Sequence, residues 1–404
     1  MQVSGRHLLV VVAMCGLSVA TVGLITNVAG VFFTPMAQEF GVLQGVASMT
    51  LMISNICVAL GGLLTRRLTK LMPLRVLLVA GTLVLAASCA GMAFAPGIAV
   101  VNLLSVTRGL SGGIIGFVLI TYVLNKWFVS QLGLATSLAM GSSGLAGALF
   151  TPLISQLVAD FGWRAGELLV AALTVVFCLP AIVLVPSADP ADVGLRALGA
   201  GEEAEVRDAG KKAKPPIKLD RPLVVAVVGY AALSAAVSAM PQHFSGYAQE
   251  AGLTLAVGAA MVSACMVANT FGKVIMGWLC DRVGARTSVL CYTVAVLASI
   301  IALLLVRTPL AFVASALLFG LCYARATVGL SMLCRELFGK RGFGVAYPVA
   351  ALGCSFSNAV FSSAVGFGFD LTGGYAVSLV VFAVFLAASA ALVAWCYKRS
   401  ERIA

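Results

Sequence analysis

Arg108, Lys273 and Arg325 stand inside runs of chain otherwise apolar enough to cross a bilayer, and no comparably deep carboxylate is evident beside them in the sequence. A charge at membrane depth is unfavourable by roughly 2.5–3.5 kcal/mol even on lenient insertion scales, so such residues line a water-filled path or bind something. The chemistry these three offer is attraction of negative charge. Each also has a plainer reading. Arg108 can bond backbone carbonyls, Lys273 lies in the inner half of its span and can snorkel, and the stem of Arg325 can reach cytoplasmic water.

Spacing sharpens the group. Asn269 precedes Lys273 by four residues, which puts both on one helical face. Arg108 lies about eleven residues from the outer boundary of its span, hence roughly 16 Å deep at 1.5 Å per residue. Gly112 and Gly116 share its face, and Asn27 adds a polar group to the first span. The deepest acid in the sequence is Glu167, one turn inside the outer end of the sixth span; His7 is terminal, and His243 lies near an outer end where solvation is its ordinary fate. An intramembrane carboxylate is the usual proton relay. This inventory favours anion exchange or uniport over proton symport.

The elements that must hold these groups follow from composition. The 404 residues are 61% hydrophobic and 10% charged, with mean hydropathy +1.06. A soluble domain is near one quarter charged, so a polytopic all-α membrane protein is implied. A span needs about 20 apolar residues. That ruler gives six near 8–32, 46–65, 74–95, 98–124, 132–158 and 164–185, and six more near 222–245, 254–280, 287–306, 309–332, 344–368 and 375–397. The chain therefore divides into a six-helix bundle over 1–186, a cytoplasmic linker over 187–221 and a second bundle over 222–404. The first apolar run is too long for a signal peptide and is followed by many like it.

The net charge of +11 does not mark a nucleic-acid binder. Of the 26 Lys and Arg, only Arg164 and Arg307 fall in loops on one side and three are the intramembrane cations; the rest gather on the other side. This positive-inside bias places both termini in the cytoplasm, with the inner (plasma) membrane as the expected location. Most of the eleven cysteines lie within apolar runs and none forms C-x-x-C, so they read as small hydrophobes. No metal and no cofactor are expected, and the lipid bilayer and a small anion are the partners of a monomeric chain. Gly109-Leu110-Ser111-Gly112-Gly113 fits G-x-S-x-G formally, yet it sits in a membrane span without a histidine partner and reads as chance. Neither a soluble receptor domain nor a clustered enzyme motif such as H-E-x-x-H is visible.

Two loops look built for gating. The one after the eighth span runs Gly277-Trp278-Leu279-Cys280-Asp281-Arg282-Val283-Gly284-Ala285-Arg286. Asp281 can pair with Arg282, Arg286 or a neighbouring helix, a cluster able to latch one state and release in another. The equivalent loop after the second span, Gly62-Leu63-Leu64-Thr65-Arg66-Arg67, has no acid, with Arg66 standing at the aspartate position.

That G-x-x-x-D-R-x-G-x-R run is similar to the cytoplasmic loop signature of the major facilitator superfamily. Weak likeness between the halves fits that architecture: Lys126-Trp127-Phe128 echoes Glu336-Leu337-Phe338, and the tracts after Gly141 and Gly353 end near Asp160 and Asp370. Parallel six-helix repeats of this kind imply a substrate cavity at the midplane between the halves. A narrower resemblance rests on Gly30-Val31-Phe32-Phe33, Glu39-Phe40-Gly41, Lys126-Trp127-Phe128, Phe161-Gly162-Trp163-Arg164 and Asn269-Thr270-Phe271-Gly272-Lys273. In that order they resemble the monocarboxylate transporters and their bacterial relatives, including the oxalate:formate antiporter. The resemblance implies a carrier of small carboxylates and matches the family's eighth-helix basic residue to Lys273. Asn27 and Asn269 stand where animal carriers have a lysine and an aspartate implicated in proton coupling, and Cys354 stands near the exchanger's eleventh-helix lysine. A proton-coupled exporter of drug-like or other small metabolites is the competing expectation on the same fold.

Overall fold

The computed structural model describes residues 5–128, 132–185, 187–195, 197–198, 220–306 and 308–403. Eleven described helices are long and apolar enough to cross a membrane. They are α1 Gly5–Asn27, α2 Gln44–Leu71, α3 Leu74–Ala93, α4 Ile98–Trp127, α5 Ala135–Phe161 and α6 Trp163–Leu184, then α7 Arg221–Glu250, a 51-residue element Leu255–Leu305, α10 Pro309–Gly339, α11 Val345–Thr372 and α12 Ala376–Arg402. At 1.5 Å per residue the long element would reach about twice the thickness of a bilayer. It is two spans, α8 and α9, broken at Gly284, whose φ of 82° lies where only glycine sits without strain. The expected twelve spans are therefore present, with ends at most seven residues from the sequence reading.

The first span departs from expectation. Its helix passes into π geometry over Val19–Asn27, and a further helix, Gly30–Phe40, continues past the expected end. Gly41 stops it at φ 61°, its N–H bonding Ala37 O and Gln38 O. Leu63, Leu149 and Leu310 are 71–81% exposed, as apolar faces that meet lipid tails must be. Buried hydroxyls bond the carbonyl one turn back, as Ser105 does to Val101 and Thr174 to Val170, so they need no partner across the bilayer.

By packing, the described residues form two compact units that divide within the linker, except that residues 29–52 and 148–160 pack with the second. One holds the described residues of 1–28, 53–147 and 161–215. Here α3 packs on α4 and α6, and α1 on α6. Gly109 and Gly113 of α4 face the backbone of Ser54 and Val58, where any side chain would collide. These glycines bring helices together, which accounts for the G-x-S-x-G pattern, while the Ser111 hydroxyl bonds Thr107 O within its own helix.

The other unit holds residues 29–52, 148–160 and 216–404. In it α7 packs on α11 and α12, and α8 on α10. Its core is aromatic: Tyr247 stacks on Phe312 at 5.1 Å, and Phe244 meets Phe319 edge-on at 5.4 Å.

Candidate functional site

Arg108 lies on α4 and is 5% exposed. Contrary to the sequence expectation, it has an acid: its Nη1 donates to Glu167 Oε1 of α6 at 3.4 Å, and Glu167 is 1% exposed. Buried Cys89 of α3 lies beside the pair. The correction has a simple physical origin. Depth along one helix was counted from its own end, but α6 packs so that Glu167 reaches the level of Arg108. The contact is loose for a charge-assisted bond, which is ordinarily about 2.7–2.9 Å. Arg108 Nε and Glu167 Oε2 have no further partner among the described residues.

The other two cations belong to the second unit and have no acid partner among the described residues. Lys273 on α8 is half-buried and makes no hydrogen bond or ion pair among the described residues. One turn away, Asn269 is 6% exposed; its Nδ2 meets only Met266 Sδ at 3.8 Å, and its Oδ1 is unpartnered. The pair thus presents an ammonium and an amide oxygen from one helical face.

Arg325 does not reach cytoplasmic water. It is 0% exposed, within a π-helical turn Arg325–Gly329 of α10. Its Nη2 donates to Ser389 Oγ of α12 at 2.7 Å, and its guanidinium lies 5.8 Å from the ring centre of Tyr230 on α7. Tyr230 in turn donates to Arg325 O at 2.9 Å. Nε and Nη1 find no partner among the described residues. Of the two readings the sequence left open, the snorkelling stem fails, because α7 and α12 close over this position. π-turns of this sort recur at functional sites.

Asn27 ends the π segment of α1 and donates from Nδ2 to Ser143 O of α5 at 2.8 Å. That bond ties α1 to α5 rather than aiming the amide at open space. Two residues the sequence reading passed over lie side by side in the second unit, Gln242 on α7 and Tyr323, two residues before Arg325; Gln242 Oε1 and Tyr323 Oη make no well-formed hydrogen bond among the described residues. Their only sequence signal was polarity inside an apolar run. His243 was expected at a wet interface. It is 1% exposed, its Nε2 is 2.9 Å from Ser362 O, and it packs between Phe33 and Tyr375, because Gly30–Phe40 extends to cover it.

The expected gating loop is organised by a different acid. Asp281 is exposed and makes no ion pair among the described residues, while Arg282 lies over Trp278 at 4.9 Å and Arg286 over Tyr397 at 5.6 Å. Glu336 of α10 accepts from Ala285 N at 2.8 Å and from the Tyr397 hydroxyl. It therefore caps the start of α9 just past the Gly284 break. Gly277 has open space around it. Arg67 is exposed, and the Arg66 side chain lies outside the described residues. At the C-terminal end of α4, Lys126 Nζ donates to Asp189 Oδ2 at 2.9 Å, and this bond holds the Asp189 carboxyl below its ordinary range.

Twelve spans in this arrangement, carrying buried cations, define a polytopic transport fold. Residues 15–267 and 223–403 match the family described as the Major Facilitator Superfamily, and the chain belongs to it. Among curated proteins it is similar to Monocarboxylate transporter 13 of Bos taurus, 25% identical over 272 residues that span 66% of this chain and 60% of that protein. The namesake of Rattus norvegicus is 23% identical over 372 residues, 89% of this chain and 82% of that protein. The fold is shared with solved structures of a bacterial homolog of the human lysosomal transporter Spinster. The inward-facing, occupied form gives a TM-score of 0.71 at 14% identity over 97% of this chain and 96% of that one. The inward-facing, unoccupied form gives 0.71 at 13% identity over 99% of both.

Proposed function

We propose that the chain carries a small organic anion, a mono- or dicarboxylate, across the inner membrane by alternating access, with both termini cytoplasmic. The observation that carries this reading is Lys273: an ammonium at membrane depth with no acid among the described residues, one turn from an unpartnered amide oxygen. A cation at membrane depth without a counterion is costly, and an arriving carboxylate removes that penalty. Arg325 offers two nitrogens without a partner among the described residues, Nε and Nη1, in the same unit, a second positive group for a second carboxylate. Arg108 is already engaged by Glu167 and takes a lesser part. Kinship with proteins named monocarboxylate transporters supports the same substrate class. Exchange or uniport is the proposed mode, since Asn27 and Asn269 are uncharged.

The test is a thermal-shift screen of the purified chain against organic anions, followed by uptake of the stabilising anion into proteoliposomes. A ligand that binds only the folded form raises the melting temperature. Stabilisation by carboxylates, and not by neutral or cationic compounds of equal size, is the expected result.

A second reading, proton-driven export of drug-like or other small metabolites, is favoured by one finding, the buried Glu167. Transport driven by a pH gradient alone and lost in Glu167→Gln, without any response to carboxylates, would establish it in place of the first.

A further inference from the structure

At the end of α2 opposite the chain termini, the first backbone amides of the helix have no carbonyl of their own to bond. The first turn of α2 contains no acid. Asp370, near the end of α11, supplies the acceptor: its Oδ1 takes Gln44 N at 2.9 Å and its Oδ2 takes Gly45 N at 2.7 Å. One carboxylate thus spans two successive N–H groups at the positive pole of a 28-residue helix, where negative charge is favoured.

The bond is the centre of a small polar network. Gln44 Nε2 donates to Thr34 Oγ1 at 3.0 Å and lies 3.2 Å from Tyr375 Oη. The N–H of Tyr375, at the start of α12, donates to Glu250 Oε2 at the end of α7 at 2.9 Å. These residues line a solvent-facing pocket of about 500 Å³, so water can replace their bonds when they part. Beneath them the helices touch through their smallest residues. A methyl group at Gly45 would strike the Phe367 ring, one at Gly366 would strike Ser48, and Ser363 Oγ donates to Gly45 O at 3.1 Å. Gly30 is pressed against the backbone carbonyl of Gln242 in the same way.

This clamp explains why residues 29–52 pack with the second unit while the remainder of α1 and α2 does not. A carrier working by alternating access must release its outer contacts once per cycle, and a polar, hydrated latch over a dry small-residue seam is suited to that. We propose that Asp370 is the latch of the outer gate, holding the start of α2 against α11 and releasing it when the outer side opens. The proposal rests on the carrier reading above, but the experiment needs no substrate.

The reporter is Ser363→Cys, a position 2% exposed beneath the latch. It is labelled with a membrane-impermeant maleimide added from outside to the full-length chain in proteoliposomes. The chain with Ser363 intact measures the background from native cysteines. In Asp370→Asn the charge is lost and the amide NH2 cannot accept from Gly45 N. Labelling of Ser363→Cys is then expected to run about tenfold faster, as loss of a charge-assisted bond implies. Asp370→Glu, which keeps the charge, is expected to stay within about threefold of the parent. If Asp370→Asn does not fold, Gln44→Ala removes the link to Thr34 and Tyr375 while sparing the backbone amides, and it too must raise labelling. A folded Asp370→Asn chain with a lower melting temperature but unchanged labelling would make Asp370 an ordinary helix cap and overturn the proposal; unchanged labelling in Gln44→Ala would do the same. Faster labelling in a chain that transports no anion would leave the latch standing and remove the carrier reading instead.

Discussion

Arg108 and Arg325 are both arginines at membrane depth, nearly or fully buried on interrupted helices, yet they have opposite surroundings. Arg108 faces a carboxylate and is electrically closed, although loosely, at 3.4 Å. Arg325 has a serine hydroxyl, an aromatic face and two nitrogens without a partner among the described residues. Lys273 in the same unit has less still. The difference teaches that burial of a cation does not by itself define an anion site. What matters is whether the protein has already supplied the counterion, and among the described residues it has done so on α4 and α6 but not on α8 and α10.

The comparison is broken most directly at Lys273. Replacement by Gln is expected to abolish carboxylate uptake while leaving the melting temperature within a few degrees of the parent, because no described bond is lost. Wild-type uptake in that variant would remove Lys273 from the site. A second variant tests the closed pair. Glu167→Leu strands Arg108 and should lower unfolding stability by about 3–5 kcal/mol, whereas Arg108→Met with Glu167→Leu should recover most of that loss. If the single change proves neutral in a denaturant titration, Arg108 is not compensated by Glu167 and rejoins Lys273 as an open cation.

Ser389→Ala removes the one side-chain hydrogen bond that Arg325 makes among the described residues. A loss of about 1.5–3 kcal/mol is expected for a bond to a charged group, together with weaker binding of dicarboxylates in the thermal-shift screen. An unchanged melting curve would show that Tyr230 alone holds the guanidinium. The smallest effect belongs to the half-exposed Lys126–Asp189 pair at the C-terminal end of α4. Lys126→Ala should cost at most about 1 kcal/mol, as surface ion pairs do. Since the Asp189 carboxyl is held below its ordinary range in the folded chain, its contribution is present at neutral pH and fades as pH falls through that lowered value. Melting curves of parent and variant should therefore converge in acid.

The twelve spans were legible because each must be apolar over a length set by the bilayer, a constraint that acts locally and leaves its mark in consecutive residues. The break at Gly284 was foreshadowed by the loop motif that contains it. The positions of the cations along their helices were equally readable. Their partners were not. Glu167 is 59 residues from Arg108, Ser389 is 64 from Arg325, and Asp370 is more than 320 from the helix it caps. The motif pointed to Asp281 as the acid of the gating loop, but in the folded chain Glu336 binds there, reaching in from α10. Likewise, His243 looked interfacial until Gly30–Phe40 proved helical and covered it.

Hydropathy and the placement of charge thus determined, from the sequence alone, that this chain is a polytopic helical bundle with three cations at bilayer depth. Which cation is neutralised, and which acid caps which helix, only the tertiary structure decided. The physical reason is that insertion into lipid is an energy summed along a single segment, whereas pairing of charges depends on the rotation and height of one helix against another, which no stretch of consecutive residues encodes.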